Sequence, residues 1–75
     1  MYHTIEFAIE FMVDLETSAK HRLERMLIRK GTRVPVQLRP YVVETPEGPV
    51  EVADLYFEDG STARGVRYES FAFVE

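Results

Sequence analysis

Ile5, Phe7, Ile9, Phe11 and Val13 recur at every second position, with Thr4, Glu6, Ala8, Glu10, Met12 and Asp14 between them. A period of two belongs to a strand with one buried face, so the chain opens as a strand that needs a sheet and a cover. A rival pattern exists in Ile5, Met12, Ala19 and Met26, which would suit one long helix from Ile5 to Lys30. That helix would turn Phe7 and Phe11 toward solvent beside glutamates, and the strand is the better reading.

The period then changes. Leu15, Ala19, Leu23, Met26 and Leu27 form an apolar stripe at helical spacing. Asp14 suits the amino-terminal cap and Glu16 the first turn, with Lys20 four residues on. Arg29 and Lys30 suit the carboxyl end, and Gly31 the left-handed residue that closes it. The spacing therefore predicts an amphipathic helix. Beyond it, Val34, Val36, Leu38 and Val42 return to strand periodicity. Pro35 and Pro40 lack a donor, which confines that strand to an edge or a bulge. Thr45-Pro46-Glu47-Gly48 and Glu58-Asp59-Gly60-Ser61 read as turns, bounding a strand over Val50 to Phe57. Thr62 to Tyr68 is the next strand, with Gly65 marking a bulge, and Ser70 to Val74 ends the chain. Both faces of Phe71-Ala72-Phe73-Val74 are apolar, so one is expected under the helix and the other against a second subunit.

These elements predict one α+β domain over residues 1–75, with two layers in the order β-α-β-β-β. One amphipathic helix packs on a mostly antiparallel sheet of four or five strands. The expected core is Ile5, Phe7, Ile9, Phe11, Val13, Ala19, Leu23, Met26, Leu27, Val36, Leu38 and Phe73. A chain of 75 residues without cysteine has neither disulfide nor thiolate metal site to support a small core, which favours oligomerisation. No apolar run reaches the roughly 18 residues of a membrane span, and the amino terminus lacks the pattern of a signal or transit peptide. A soluble cytoplasmic protein, without membrane contact, is expected.

Charge is distributed in blocks. Lys20, Arg22, Arg25, Arg29, Lys30, Arg33 and Arg39 stand together against Glu24 alone, and acids dominate on both sides. Such blocks bear on partners more than on fold. On the expected helix Arg22, Arg25 and Arg29 form one row with Ile28 beside it. Arg33 and Arg39 extend that basic surface, which fits carboxylates or phosphates. The opposite candidate is an acidic hairpin of Glu47, Glu51, Asp54, Glu58 and Asp59, with Glu44 near it, suited to a basic surface. The two charged blocks could equally satisfy each other, within a subunit or between two.

Signatures of chemistry are weak. His21 and Glu24 are three apart, but a catalytic zinc site needs a third protein ligand, and His3 stands elsewhere. Ser18, Ser61 and Ser70 lie in no nucleophile motif, Glu6 and Glu10 read as a solvated face, and no glycine-rich loop precedes the helix. No cofactor or metal is expected. The aromatics are interleaved with acids rather than bases, Tyr41 beside Arg39 excepted, which weighs against stacking on nucleic acid. The net charge of −4 points the same way. The expected function is a small non-enzymatic interaction module that binds protein and self-associates as a homodimer. The alternatives are RNA or DNA binding by the basic helix and the strand after it, or a small enzyme with a pocket between subunits.

Overall fold

The computed structural model describes residues 1–17 and 23–74. It contains β1 (His3–Phe7), β2 (Phe11–Glu16), β3 (Leu23–Ile28), β4 (Arg33–Thr45), β5 (Gly48–Phe57), β6 (Thr62–Arg67), a 3₁₀ turn (Tyr68–Ser70) and β7 (Phe71–Phe73). All seven strands belong to one antiparallel sheet in the order β3-β2-β6-β5-β4-β1-β7. The sheet curls into a half-barrel. The two-layer β-α-β-β-β arrangement is therefore wrong: the described residues contain no α-helix, and none long and apolar enough to cross a membrane.

The expected helix is a hairpin arm. Leu15 belongs to two patterns at once, ending the alternation from Ile5 and opening the helical stripe. The alternation prevails because pairing β2 with β3 sets Phe11 opposite Ile28, Val13 opposite Met26, Met12 opposite Leu27 and Asp14 opposite Arg25. Three apolar cross-strand pairs and one ion pair result, whereas a helix would leave that side of β2 without a ladder. Asp14 thus pairs with Arg25 instead of capping. Gly31 does adopt φ +88, but in the turn between β3 and β4, where its N–H donates to the Phe7 carbonyl at 2.8 Å. Ala19, Lys20, His21 and Arg22 lie outside the described residues.

The opening strand also divides. β1 and β2 keep one alternation, but Ala8–Glu10 bends between them, leaving Ile9 exposed and sending the two strands to opposite halves of the sheet. β1 pairs with β4 and β7, while β2 pairs with β3 and β6. Ile5, Phe7, Leu15, Ile28, Val36, Ala53, Leu55, Ala63, Val66 and Phe71 fill the concave side. Each large side chain fully buried there contributes about 1.5–3 kcal/mol. Leu23, Met26, Leu27 and Phe73, expected in the core, are exposed instead. They lie on the edge strands β3 and β7, where no further strand covers them.

The hairpin turns are where the sequence placed them. Thr45 and Gly48 close a two-residue loop between β4 and β5, and Asp59 accepts from the Ser61 N–H and hydroxyl between β5 and β6. These two bonds from Ser61 hold the Asp59 carboxyl below its ordinary value. Pro40 sits in an open stretch of edge: β1 covers β4 only from Arg33 to Val36.

Candidate functional site

Two features converge near the middle of β5. The first is a polar cluster on the face of the sheet away from the core. Arg39 on β4 stands opposite Asp54 on β5, with Tyr41 two residues along the same face. On the other side of Asp54 the β5–β6 ladder passes from Ala53↔Val66 to Leu55↔Ala63, so Arg64 and Gly65 both oppose Asp54. This is a β-bulge. Gly65 takes φ +67, a left-handed conformation that strains any residue with a Cβ, and its N–H donates to Asp54 Oδ1 at 2.9 Å. The Tyr41 hydroxyl donates to the same oxygen at 2.8 Å. Arg64 reaches Asp54 Oδ2 at 3.3 Å and Arg39 approaches it at 3.8 Å.

Asp54 is the one charged side chain of the cluster that is enclosed, with 4% of its side chain exposed. Burial pushes its carboxyl up, but Tyr41, Gly65, Arg64 and Arg39 together bring it below its ordinary value. The bond to Asp54 in turn holds the Tyr41 hydroxyl above its own, with burial and the carboxylate charge adding to it. Arg64 also binds Glu16 on β2 at 3.0 Å, so the cluster ties β2, β4, β5 and β6 together. No buried side-chain nitrogen or oxygen among the described residues lacks a partner.

The second feature is the far end of the β4–β5 hairpin. β6 accompanies β5 only as far as the pair Val52↔Arg67, and β1 leaves β4 at Val36. From Val42↔Glu51 to Thr45↔Gly48 the hairpin therefore continues as an arm with no third strand among the described residues. The 3₁₀ turn flanks its β5 side near Pro49–Glu51. The polar cluster sits at the root of this arm. Val42 and Val43 are exposed on it, beside Glu44, Glu47 and Glu51.

Ion pairing separates the two charged blocks. Arg25 binds Asp14 at 3.2 Å, Arg29 binds Glu10 at 3.5 Å and Arg33 binds Glu6 at 2.7 Å. Arg39 and Arg64 share Asp54, and Arg67 lies 3.9 Å from Glu69. Three of these pairs follow directly from register: Asp14↔Arg25, Glu6↔Arg33 and Arg39↔Asp54 are cross-strand neighbours. Every arginine among the described residues thus has a carboxylate within 4 Å, whereas Lys30 has none among them. Such exposed pairs contribute about 0–1 kcal/mol each, but they cancel the local field. Among the described residues Glu44, Glu47 and Glu51 have no such partner. Glu24, Glu58 and Asp59 lack one among them too, though they stand apart from the arm.

The expected sites therefore regroup. Arg22 lies outside the described residues, and Arg25 and Arg29 occupy β3 rather than a helix row. Ile28 is 7% exposed and belongs to the core, so the expected outer position is corrected: strand phase turns it inward opposite Phe11. The acidic hairpin is not one surface. Glu47 and Glu51 lie on the arm, Asp54 is buried at its root, and Glu58 and Asp59 occupy the opposite end of β5, about 36 Å along the strand from Glu47 at 3.3 Å per residue. Arg64 and Arg67 were missed; the available signal was that they flank the bulge glycine and are the sole bases after Arg39.

A cleft of about 570 Å³ also opens where β2 and β6 part, after just two ladder pairs, Leu15↔Ala63 and Glu16↔Thr62. Its charged lining is balanced, with Asp14 and Glu16 against Arg64 and Arg67. Among the described residues no cluster of three His, Asp or Glu side chains is placed to hold a metal. No family model, curated protein or solved structure matches the chain.

Proposed function

We propose that this protein is a small non-enzymatic binding module that engages a basic surface of a partner protein through the acidic β4–β5 arm. The observation behind this reading is the asymmetry of ion pairing. The described arginines each lie within 4 Å of one of the molecule's own carboxylates, while Glu44, Glu47 and Glu51 are concentrated beside exposed Val42 and Val43 without counter-charge among the described residues. Uncompensated charge of one sign steers a partner of the opposite sign and sets specificity. The adjacent valines supply apolar area. Binding of RNA or DNA by Arg25, Arg29, Arg33 and Arg39 is disfavoured on the same ground, because each would first have to leave its carboxylate.

The test compares wild type with the Glu44→Gln/Glu47→Gln/Glu51→Gln variant, both immobilised, in nuclease-treated host lysate. Wild type is expected to retain a protein whose binding weakens with salt, and the arm variant to lose it. An Arg25→Gln/Arg29→Gln control is expected to retain it. Capture that depends on those arginines, or that disappears on nuclease treatment, would transfer the function to the basic residues.

Self-association is the second part of the proposal. Leu23, Met26 and Leu27 are exposed on the open edge strand β3, Leu23 by 64%, and that edge contains no proline to block pairing. Sedimentation at micromolar concentration is expected to give a dimer, and Leu23→Glu/Leu27→Glu a monomer. A monomeric wild type would remove this part and leave the arm untouched.

A further inference from the structure

The backbone of the arm defines how its partner binds. Pro40 stands opposite Ala53, and Pro49 opposite Glu44. Neither proline has an N–H, so neither can donate across the β4–β5 seam. In an antiparallel ladder the backbone groups of alternate residues point to alternate sides. Pro40, Val42 and Glu44 share one phase, and Pro49, facing Glu44, falls in the same non-bonded class of pair. The two prolines thus agree on a single phase: the seam is bonded through Tyr41, Val43 and Thr45, while the N–H and C=O of Val42 and Glu44 point away from β5. Among the described residues that outward side of β4 has no partner strand after Val36, and the 3₁₀ turn occupies the β5 side of the arm. Pro40 blunts the edge just before the arm begins. What remains is a short stretch from Tyr41 to Thr45, about 17 Å at 3.3–3.4 Å per residue, in which the outward groups of Val42 and Glu44 meet no strand among the described residues.

We infer that the arm takes its partner by β-strand addition: an extended basic segment pairs with the open edge of β4 through the backbone of Val42 and Glu44. This rests on the acidic-arm reading above and specifies its occupant. Directly opposed side chains share a face in such a pairing. A basic residue therefore stands opposite Glu44 and an apolar one, two positions along, opposite Val42. Glu47 and Glu51 supply the surrounding negative field that draws the segment in. The recognised pattern is basic-any-apolar on one face of an extended strand, not a basic helix or a disordered basic tail.

The test uses three fluorescent peptides of equal length and charge: one alternating lysine and valine, the same peptide N-methylated at every second residue, and one alternating lysine and glycine. The lysine–valine peptide is expected to bind, and its N-methylated form to bind about tenfold or more weaker, as befits the loss of one or two backbone bonds. Val42→Pro, which repeats at Val42 what Pro40 already does in the same phase, is expected to weaken the lysine–valine peptide similarly. Unchanged circular dichroism is required of that variant; should it fail to fold, the N-methylated peptide decides alone. Equal binding of all three peptides, lost together in Glu44→Gln/Glu47→Gln/Glu51→Gln, would overturn strand addition while leaving the acidic arm as the binding surface. Peptide binding unaffected by those three substitutions, or no binding of any peptide, would overturn both.

Discussion

Asp54→Ala is expected to destabilise the protein by about 2–3 kcal/mol, toward the lower end for breaking a buried charge pair. The substitution strands the Tyr41 hydroxyl and the Gly65 N–H on the side of the sheet where β6 ends. It also releases Arg39 and Arg64, but both side chains are more than half exposed and regain water, which limits the cost. For a domain of this size each kcal/mol shifts Tm by about 4–8 °C, so a drop of about 10–20 °C in thermal denaturation is the expected result. Asp54→Asn keeps an acceptor for Tyr41 and Gly65 and should lose less than half as much. Because the cluster fixes the root of the arm, amide exchange across Val42–Glu51 should rise in Asp54→Ala. A Tm within a few degrees of wild type would mean that Asp54 does not organise this region.

The same carboxylate contributes to the pH dependence. Its folded value lies below its ordinary one, so the folded state favours the ionised form. Its contribution is fully present above the unfolded value of about 3.9 and is lost as pH falls through the lower folded value. Between pH 5 and 7 Asp54 contributes no slope. Below about pH 4 wild type should lose stability with acid, and Asp54→Asn should flatten that limb in urea titrations.

Phe7→Ala is expected to have the largest effect on stability, about 3–5 kcal/mol. Phe7 is fully buried, and its ring packs against Phe11 at 5.6 Å and Phe71 at 6.2 Å. Its backbone accepts from Gly31 and donates to Thr32 at 2.9 Å. It stands where β1 and β2 part, so it joins the two halves of the curled sheet. A chain of 75 residues has a total stability of roughly 4–11 kcal/mol, and such a loss leaves it close to unfolding at room temperature. Phe7→Leu, which keeps most of the volume, should recover most of the difference in urea unfolding. A variant with alanine that unfolds at nearly the wild-type urea concentration would show that the concave core is not continuous through Phe7.

The candidate site was legible in pieces. Glu44, Glu47 and Glu51 stand out as an acidic run, Gly65 as a bulge, and Tyr41 beside Arg39 as an aromatic–base pair. What the chain does not display is that Asp54 points to the far side of the sheet from its neighbours Ala53 and Leu55, between two arginines from different strands. That depends on strand phase and on the extra residue at the bulge, neither of which composition reveals. Ile28 illustrates the same dependence: on a helix it faces solvent with Arg25, and on a strand the same residue faces the core.

Local chemistry determined the turns at Thr45–Gly48 and Asp59–Ser61, the strands between and after them, and the inward phase of Ile5 and Phe7. These rest on residues adjacent in sequence: prolines and glycines with restricted or permissive φ, and side chains that alternate across a pleat. Only the tertiary structure decided between strand and helix for Leu15 to Ile28. A short apolar stripe satisfies both periods, and the deciding contacts come from partners up to 17 positions away, as with Phe11 and Ile28. Tertiary pairing also decided which charges are spent within the molecule. Antiparallel register sets Glu6 of β1 and Asp14 of β2 beside Arg33 and Arg25, and the carboxylates of the arm, beyond the last covering strand, are left without counter-charge among the described residues.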